Sequence, residues 1–186
     1  MFAVLFLLVI VAIAVISVIA MYNGLVRAKK QVANAWSQID VQLKRRYDLI
    51  PNLIETVKGY AKHESSVFEK VTAARGNAMA VRAGDTAAKI SAENELGGAL
   101  RSLMVQVEAY PELKANTNFL ALQEELTSTE NKISFARQHY NDTATNYNTA
   151  IAVFPSNIIA GMFNFTEAEL WQIADAAERQ APKVQF

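Results

Sequence analysis

Residues 2–22 read FAVLFLLVIVAIAVISVIAMY and contain no charged side chain. A helix rises about 1.5 Å per residue, so this stretch spans roughly 30 Å, the thickness of the hydrocarbon core of a bilayer. A surface helix of a soluble protein is apolar on one side only, whereas this run is apolar all round. A cleaved signal peptide has a charged first region and a shorter apolar run. The sequence therefore predicts a retained transmembrane anchor over residues 1–24.

Three basic residues directly follow the apolar run and predict its orientation. Arg27, Lys29 and Lys30 lie just beyond Tyr22, and no Lys or Arg precedes them. Lys and Arg concentrate on the cytoplasmic side of a membrane span, and Tyr is common at the membrane–water interface. We therefore expect the N-terminus outside the cell, the basic residues at the membrane surface, and the rest of the chain in the cytoplasm.

The segment after the anchor has the repeat of a helix that packs against other helices. Apolar side chains recur at alternating steps of four and three, with two charged interruptions. The positions of this first seam are Leu25, Lys29, Val32, Trp36, Ile39, Leu43, Arg46, Ile50, Leu53, Val57 and Tyr60. Only Asn23-Gly24 separates the anchor from the seam, so we expect one continuous helix from residue 2 to about residue 62, bent at Pro51.

A second seam keeps the same spacing between Pro111 and Pro155. Its positions are Phe119, Leu122, Leu126, Thr129, Ile133, Ala136, Tyr140, Thr143, Tyr147, Ala150 and Phe154. Two shorter apolar faces lie between the seams, and Gly84-Asp85 either kinks or separates them, with Asp85 or Thr86 as a helix cap. The pattern predicts an all-α fold: a transmembrane helix that runs into an antiparallel, coiled-coil-like bundle of three or four helices over residues 25–154.

The last segment, residues 155–186, differs in composition, because aromatic residues alternate there with Gly and Pro. Thr166-Glu167-Ala168-Glu169 fits a capping box and predicts a short helix to about residue 178. The aromatic side chains either pack across the end of the bundle or contact lipid, and packing is the favoured reading.

Arg46 occupies a seam position that an apolar residue would normally fill. A charge in a seam costs stability unless it is paired, and its usual benefit is a fixed register. We therefore expect Arg46 to meet Glu130 or Asn131 across the bundle, in a structural rather than a ligand-binding role. The neighbouring Lys44 and Arg45 are expected to be solvated.

The sequence offers little for catalysis or cofactor binding. It has no Cys, which excludes disulfides and thiolate chemistry. His63 and His139 lack a second ligand at metal-site spacing, and Gly97-Gly98 lacks the Lys of a phosphate loop. One Lys-Arg-Arg cluster flanked by acidic residues does not make a nucleic-acid surface. We expect no catalytic residue, no cofactor, no metal and no nucleic-acid partner.

Charge is balanced overall but not along the chain. The formal net charge is zero, while residues 1–107 carry an excess of five positive charges and residues 108–186 an excess of five negative charges. Such halves are suited to packing against each other or head to tail between copies.

Several long motifs together resemble one known family. AWSQIDVQLKRRYDLIPNLIETVKGYAKHE at 35–64, NFLALQEELTSTENKISFARQHYN at 118–141 and FPSN at 154–157 are similar to the LemA family in order and in residues. The resemblance implies a bacterial protein of the inner membrane with an N-terminal membrane segment and an antiparallel helical bundle. It implies no catalytic residues.

Three classes of function remain open at this point. The leading hypothesis is a non-enzymatic membrane scaffold that forms homo-oligomers or binds another membrane or envelope protein. The alternative is a lipid-binding or membrane-shaping protein, in which the basic residues and the aromatic tail engage membrane lipid. An enzyme is the least favoured, because no titratable groups converge in the sequence.

Overall fold

A computed structural model of the chain describes residues 1–60, 65–82 and 84–172. Within those residues the fold is all-α, as predicted, and contains no strand. The helices are α1 (Phe2–Lys58), α2 (Ser65–Ala80), α3 (Thr86–Val107), α4 (Pro111–Lys114), α5 (Thr117–Ala152) and α6 (Ser156–Met162).

Helix α1 joins the apolar N-terminal run to the first seam without a break. It has 57 residues, which corresponds to a length of about 85 Å. Its first residues, up to Ala20, are exposed on all sides, and no other described helix is long and apolar enough to cross a membrane. Pro51 lies inside the helix, which continues to Lys58. The N-terminal part of α1 is therefore a candidate membrane anchor.

The described chain divides into two compact units, and both α1 and α5 contribute to each. The first unit contains residues 1–39 and 136–170; the second contains residues 40–135 and the described residues after 170.

In the first unit, α1 and α5 run antiparallel. Trp36 meets Tyr140 with ring centroids 5.1 Å apart, while Leu25, earlier on α1, packs with Tyr147 and Ile151, later on α5. Ile159 and Ala160 of α6 complete this core. Burial of these apolar side chains holds α6 against the two long helices.

A Schellman motif ends α6 and redirects the chain. Asn164 adopts the left-handed conformation at φ 53°, and the Phe165 amide donates to the Ala160 carbonyl at 2.9 Å, which is the pattern that commonly terminates helices. The predicted helix from Thr166 is wrong for residues 166–172, which are not helical. Their backbone instead bonds to α5 side chains, described below. Residues 173–178 of that prediction lie outside the described residues.

In the second unit, α2 and α3 are separate helices, so the open choice at Gly84-Asp85 resolves as a break. Gly84 has φ +95°, which favours glycine because a Cβ is strained there. Asp85 then caps α3, since its carboxylate accepts a hydrogen bond from the Ala88 amide at 3.1 Å. The second unit thus contains the later part of α1, helices α2 to α4 and the first half of α5.

The predicted seams match the buried faces except near their ends. On α5, Tyr147 is buried as predicted, whereas Ala144 and Ile151 are buried one residue after the predicted Thr143 and Ala150. Phe154 was placed in the seam but is 79% exposed, because α5 ends at Ala152. The ends of a seam are difficult to predict because steps of three and four can be alternated in more than one register.

Candidate functional site

Arg46 is the centre of a charged cluster inside the second unit. It projects from α1 between the buried residues Leu43 and Ile50, and only 3% of its surface is exposed. A guanidinium at such a position requires carboxylate partners, because an unpaired buried charge is strongly unfavourable.

Two carboxylates from different helices supply these partners. Arg46 Nη1 donates to Glu130 of α5 at 2.9 Å (Oε1) and 3.2 Å (Oε2). Arg46 Nη2 donates to Glu93 of α3, which is itself buried. One side chain therefore ties α1, α3 and α5 together through charge-assisted hydrogen bonds.

Tyr47 and Lys89 enclose the second oxygen of Glu93. The Tyr47 hydroxyl donates to Glu93 Oε1, and Lys89 Nζ lies 3.4 Å from the same oxygen. Lys89 also donates to the Tyr47 hydroxyl at 2.9 Å and to the Ala78 carbonyl of α2 at 2.8 Å. The centre of the cluster thus pairs two cations, Arg46 and Lys89, with two carboxylates, Glu93 and Glu130.

Helix α2 is tied to the cluster by a further cation. Arg75 Nε donates to the main-chain carbonyl of Tyr47 at 2.8 Å. All four long helices that contribute to this unit thus meet around Arg46 and Tyr47, which fixes their mutual register.

The environment of Tyr47 disfavours its ionised form. Burial, the hydrogen bond to Glu93 and the charge of that carboxylate together raise the pKa of the Tyr47 phenol well above its ordinary value, and the charge of Arg46 offsets this only in part. Tyr47 therefore acts as a neutral hydrogen-bond donor rather than as a base.

The structure brings Arg46 and Glu130 together but leaves Asn131 elsewhere. Asn131 is exposed on the outer side of α5. Glu93 was not among the predicted residues, although a signal existed. It lies three residues before Leu96 and shares the spacing of Leu96, Leu100, Leu103 and Val107. A carboxylate in one seam and a guanidinium in another indicate a pair.

The predicted membrane-surface residues belong to the first unit. Arg27, Lys29 and Lys30 are all exposed on α1. Lys29 Nζ lies 5.8 Å from the centroid of the Phe165 ring, a cation–π distance. The ring of Tyr22 lies 4.7 Å from that of Phe163 and 5.9 Å from that of Phe165. Basic and aromatic side chains thus meet at the end of the anchor.

The outer face of α5 carries a shallow groove with apolar ends. Phe135, 73% exposed, lies at one end and Leu120 at the other. Between them are polar and charged side chains, including Glu124, Thr127 and Lys132. This surface belongs to the second unit and is accessible to another protein.

Metal ligation has no support in the described part of the chain. No group of three or more His, Asp or Glu side chains there is arranged to hold a metal ion. His139 is exposed on α5, and His63 lies outside the described residues.

These features define a class: an all-helical protein whose candidate N-terminal anchor continues into a bundle held by a buried ion cluster. The chain belongs to the LemA family, whose family model matches residues 35–186. The family resemblance seen in the sequence is thereby confirmed.

The relatives share the greater part of their length with this chain. Protein LemA of Metamycoplasma hominis is 25% identical over an alignment of 174 positions, which covers 94% of this chain and 79% of that protein. Magnetosome protein MamQ 2 of Paramagnetospirillum magneticum is 27% identical, and its alignment covers 89% of this chain and 72% of that protein. Magnetosome protein MamQ of Magnetospirillum gryphiswaldense is 25% identical, and its alignment covers 90% of this chain and 73% of that protein.

Proposed function

We propose that this protein is a non-enzymatic scaffold of the bacterial inner membrane that associates with further copies of itself or with a membrane or envelope protein. The observation that carries the proposal is the form of α1. One unbroken helix is exposed and apolar over its first part and then becomes a core helix of the bundle.

The buried charges support a structural role. Arg46, Glu93 and Lys89 engage one another, so the charged groups of the interior are used in holding helices together. A reaction centre requires titratable groups that converge on an accessible pocket. Here the convergence is inside the bundle, where it fixes register.

The α5 groove supports association with another protein. A large apolar residue such as Phe135 is costly to leave in water, and aromatic residues are enriched at protein interfaces. Confinement of every copy to one membrane raises the effective concentration of neighbours. Residues 1–107 carry an excess of positive charge and residues 108–186 an excess of negative charge, so the two halves of neighbouring copies attract each other, and salt weakens this attraction.

The test measures the mass of the protein assembly in nanodiscs at low and at moderate salt. The natural protein is compared with the variant Phe135→Glu and with the control variant Val105→Glu. Val105 is 70% exposed on α3 and provides the same substitution on another face. We expect oligomers larger than a dimer, lost at higher salt and reduced by Phe135→Glu only. A monomer under all conditions contradicts self-association and leaves a heteromeric partner.

A second candidate function is lipid binding with membrane shaping, favoured by the exposed Arg27, Lys29 and Lys30 beside the anchor. Basic residues next to a span are attracted to anionic lipid head groups. Electron microscopy of liposomes that contain the purified protein tests this function, since a scaffold alone leaves the vesicles spherical.

A further inference from the structure

Helix α6 and the turn before it expose an apolar surface that no described residue covers. Large apolar side chains line the outer side of this segment: Val153, Phe154, Ile158 and Met162. Phe154 is 79% exposed and Met162 is 68% exposed. Contiguous exposed apolar surface of this kind marks a site of contact with protein or membrane.

The surrounding sequence is free of charge. Residues 143–166 contain no Asp, Glu, Lys, Arg or His, although charged residues make up 19% of the chain. The polar side chains of α6 are few, and Ser156 already donates to the carbonyl of Ala150 at 2.6 Å. A surface that meets only water gains solubility from charge, so the absence of charge indicates a different environment.

The opposite side of α6 packs directly above the end of the anchor. Ile159 and Ala160 lie in the core with Leu25, and Phe163 contacts Tyr22. Leu25 is only three residues beyond Tyr22, a rise of about 5 Å, whereas the interfacial layer on each side of the hydrocarbon core is about 5–8 Å deep. When the anchor spans a bilayer, α6 is therefore at the depth of the head groups.

We propose that the outer face of α6, together with Phe154, inserts into the interfacial layer of the membrane that the anchor crosses, as a second, non-spanning membrane contact. The inference rests on the membrane anchoring proposed above. The occupant is lipid because the apolar surface of α6 is continuous, through the Tyr22–Phe163 contact, with the exposed apolar surface of the anchor.

The basic residues set the upper boundary of this contact. Lys29 lies over the ring of Phe165, and Arg27 and Lys30, close to Lys29 on α1, are exposed. Cations above an apolar segment are the arrangement of helices that lie in the plane of an anionic membrane surface. A single anchor leaves a protein free to rotate about the anchor axis; a second contact beside it orients the first unit.

The natural absence of Cys allows a test by single-cysteine nitroxide labels on the full chain. Labels at Met162→Cys, Leu8→Cys and Val105→Cys report on α6, the anchor and the exposed side of α3. With one chain per nanodisc of phosphatidylcholine and phosphatidylglycerol, power-saturation EPR compares collisions with oxygen, which dissolves in lipid, and with a water-soluble nickel chelate. A label at Asn157→Cys, also exposed on α6, is the control within the same helix.

We expect the ratio of oxygen to nickel collisions at Met162 to be several-fold higher than at Val105, lower than at Leu8, and higher than at Asn157. The ratio at Met162 should be higher in nanodiscs that contain phosphatidylglycerol than in nanodiscs of phosphatidylcholine alone. Equal water exposure at Met162 and Val105, with Leu8 shielded, overturns the inference while anchoring stands. Water exposure at Leu8 as well overturns the anchoring and the inference together.

Discussion

Arg46 illustrates how one buried charge specifies the packing of several helices. It lies on α1, whereas its two carboxylate partners lie on α3 and α5. A buried ion pair adds little stability compared with an apolar replacement, but loss of one partner is costly because the other charge remains buried. Arg46 therefore serves mainly to fix the register of α1, α3 and α5, and its replacement is a sensitive probe of the cluster.

Arg46→Ala should lower the free energy of unfolding by about 3–5 kcal/mol, because the buried Glu93 loses its guanidinium partner. Arg45→Ala should change it by less than about 0.5 kcal/mol, because the ion pair of Arg45 with Glu125 is partly exposed to solvent. Denaturant unfolding followed by circular dichroism measures both. Similar small losses at the two positions would show that the buried cluster is misassigned.

The paired substitution Arg46→Met with Glu93→Leu should recover most of the stability that Arg46→Ala loses, because apolar residues of similar volume replace a buried ion pair at little cost. The same denaturation experiment measures the recovery. A double variant no more stable than Arg46→Ala would argue that Tyr47 and Lys89 also depend on the Glu93 carboxylate.

Tyr47 should make the protein sensitive to alkaline pH. Its pKa is raised by burial and by Glu93, so the unfolded phenol loses its proton before the folded one does. The stabilisation is fully present below the ordinary phenol pKa of about 10 and is lost as the pH rises further. Tyr47→Phe cannot ionise, so its unfolding free energy should fall less steeply above pH 10. Parallel pH curves for the two proteins would contradict this assignment.

At the scale of helices, the sequence predicts what periodicity controls. The continuous α1 and the central parts of the two seams follow from local spacing, and an interruption at Gly84-Asp85 follows from turn chemistry. The sequence alone left open whether that interruption is a kink or a break, and whether Asp85 or Thr86 is the cap. The seam spacing of Glu93 is visible in the sequence, but its pairing with Arg46 and the packing of α6 depend on which helices meet. Thr166-Glu167-Ala168-Glu169 has a helix-start pattern, yet this segment is not helical and its backbone bonds to side chains of α5.

Asn148 of α5 makes two hydrogen bonds to the backbone of that segment. Its Nδ2 donates to the Ala168 carbonyl at 2.9 Å, and its Oδ1 accepts from the Ala168 amide at 2.8 Å. Tyr147 and Tyr140 bind the carbonyls of Thr166 and Glu169 in the same way. The segment therefore follows α5 and keeps α6 beside α1.

Asn148→Ala should release residues 166–169 without unfolding the helices. Loss of two hydrogen bonds worth about 1 kcal/mol each should speed amide exchange at Ala168 by about thirtyfold. Hydrogen–deuterium exchange with mass spectrometry measures the change, and Asn146→Ala, at an exposed position nearby on α5, is the matched control. Unchanged exchange at Ala168 would contradict the role assigned to Asn148.

At the scale of the whole molecule, the distribution of charge next to the candidate anchor predicts which side of the membrane the bundle occupies. Arg27, Lys29 and Lys30 follow the apolar run, whereas residues 1–26 contain no Lys or Arg. Three charges near one end of a single span bias its insertion, since segments rich in Lys and Arg stay in the cytoplasm. We therefore expect the N-terminus outside and the bundle inside.

A reporter enzyme that is active only in the cytoplasm, fused after Phe186, should be active with the natural sequence. Replacement of Arg27, Lys29 and Lys30 by Gln, with three Lys residues added before Phe2, should reverse the charge bias and reduce that activity. Replacement of Lys44, Arg45 and Lys58 by Gln removes equal charge farther from the span and should leave orientation unchanged. An inactive reporter on a natural protein that is present in the membrane would place the bundle outside the cell. That result reverses the topology and does not affect the anchor, the α6 contact or the buried cluster. The charge-swapped variant separates these cases, because a bundle that stays in place after the swap is oriented by something other than the three basic residues.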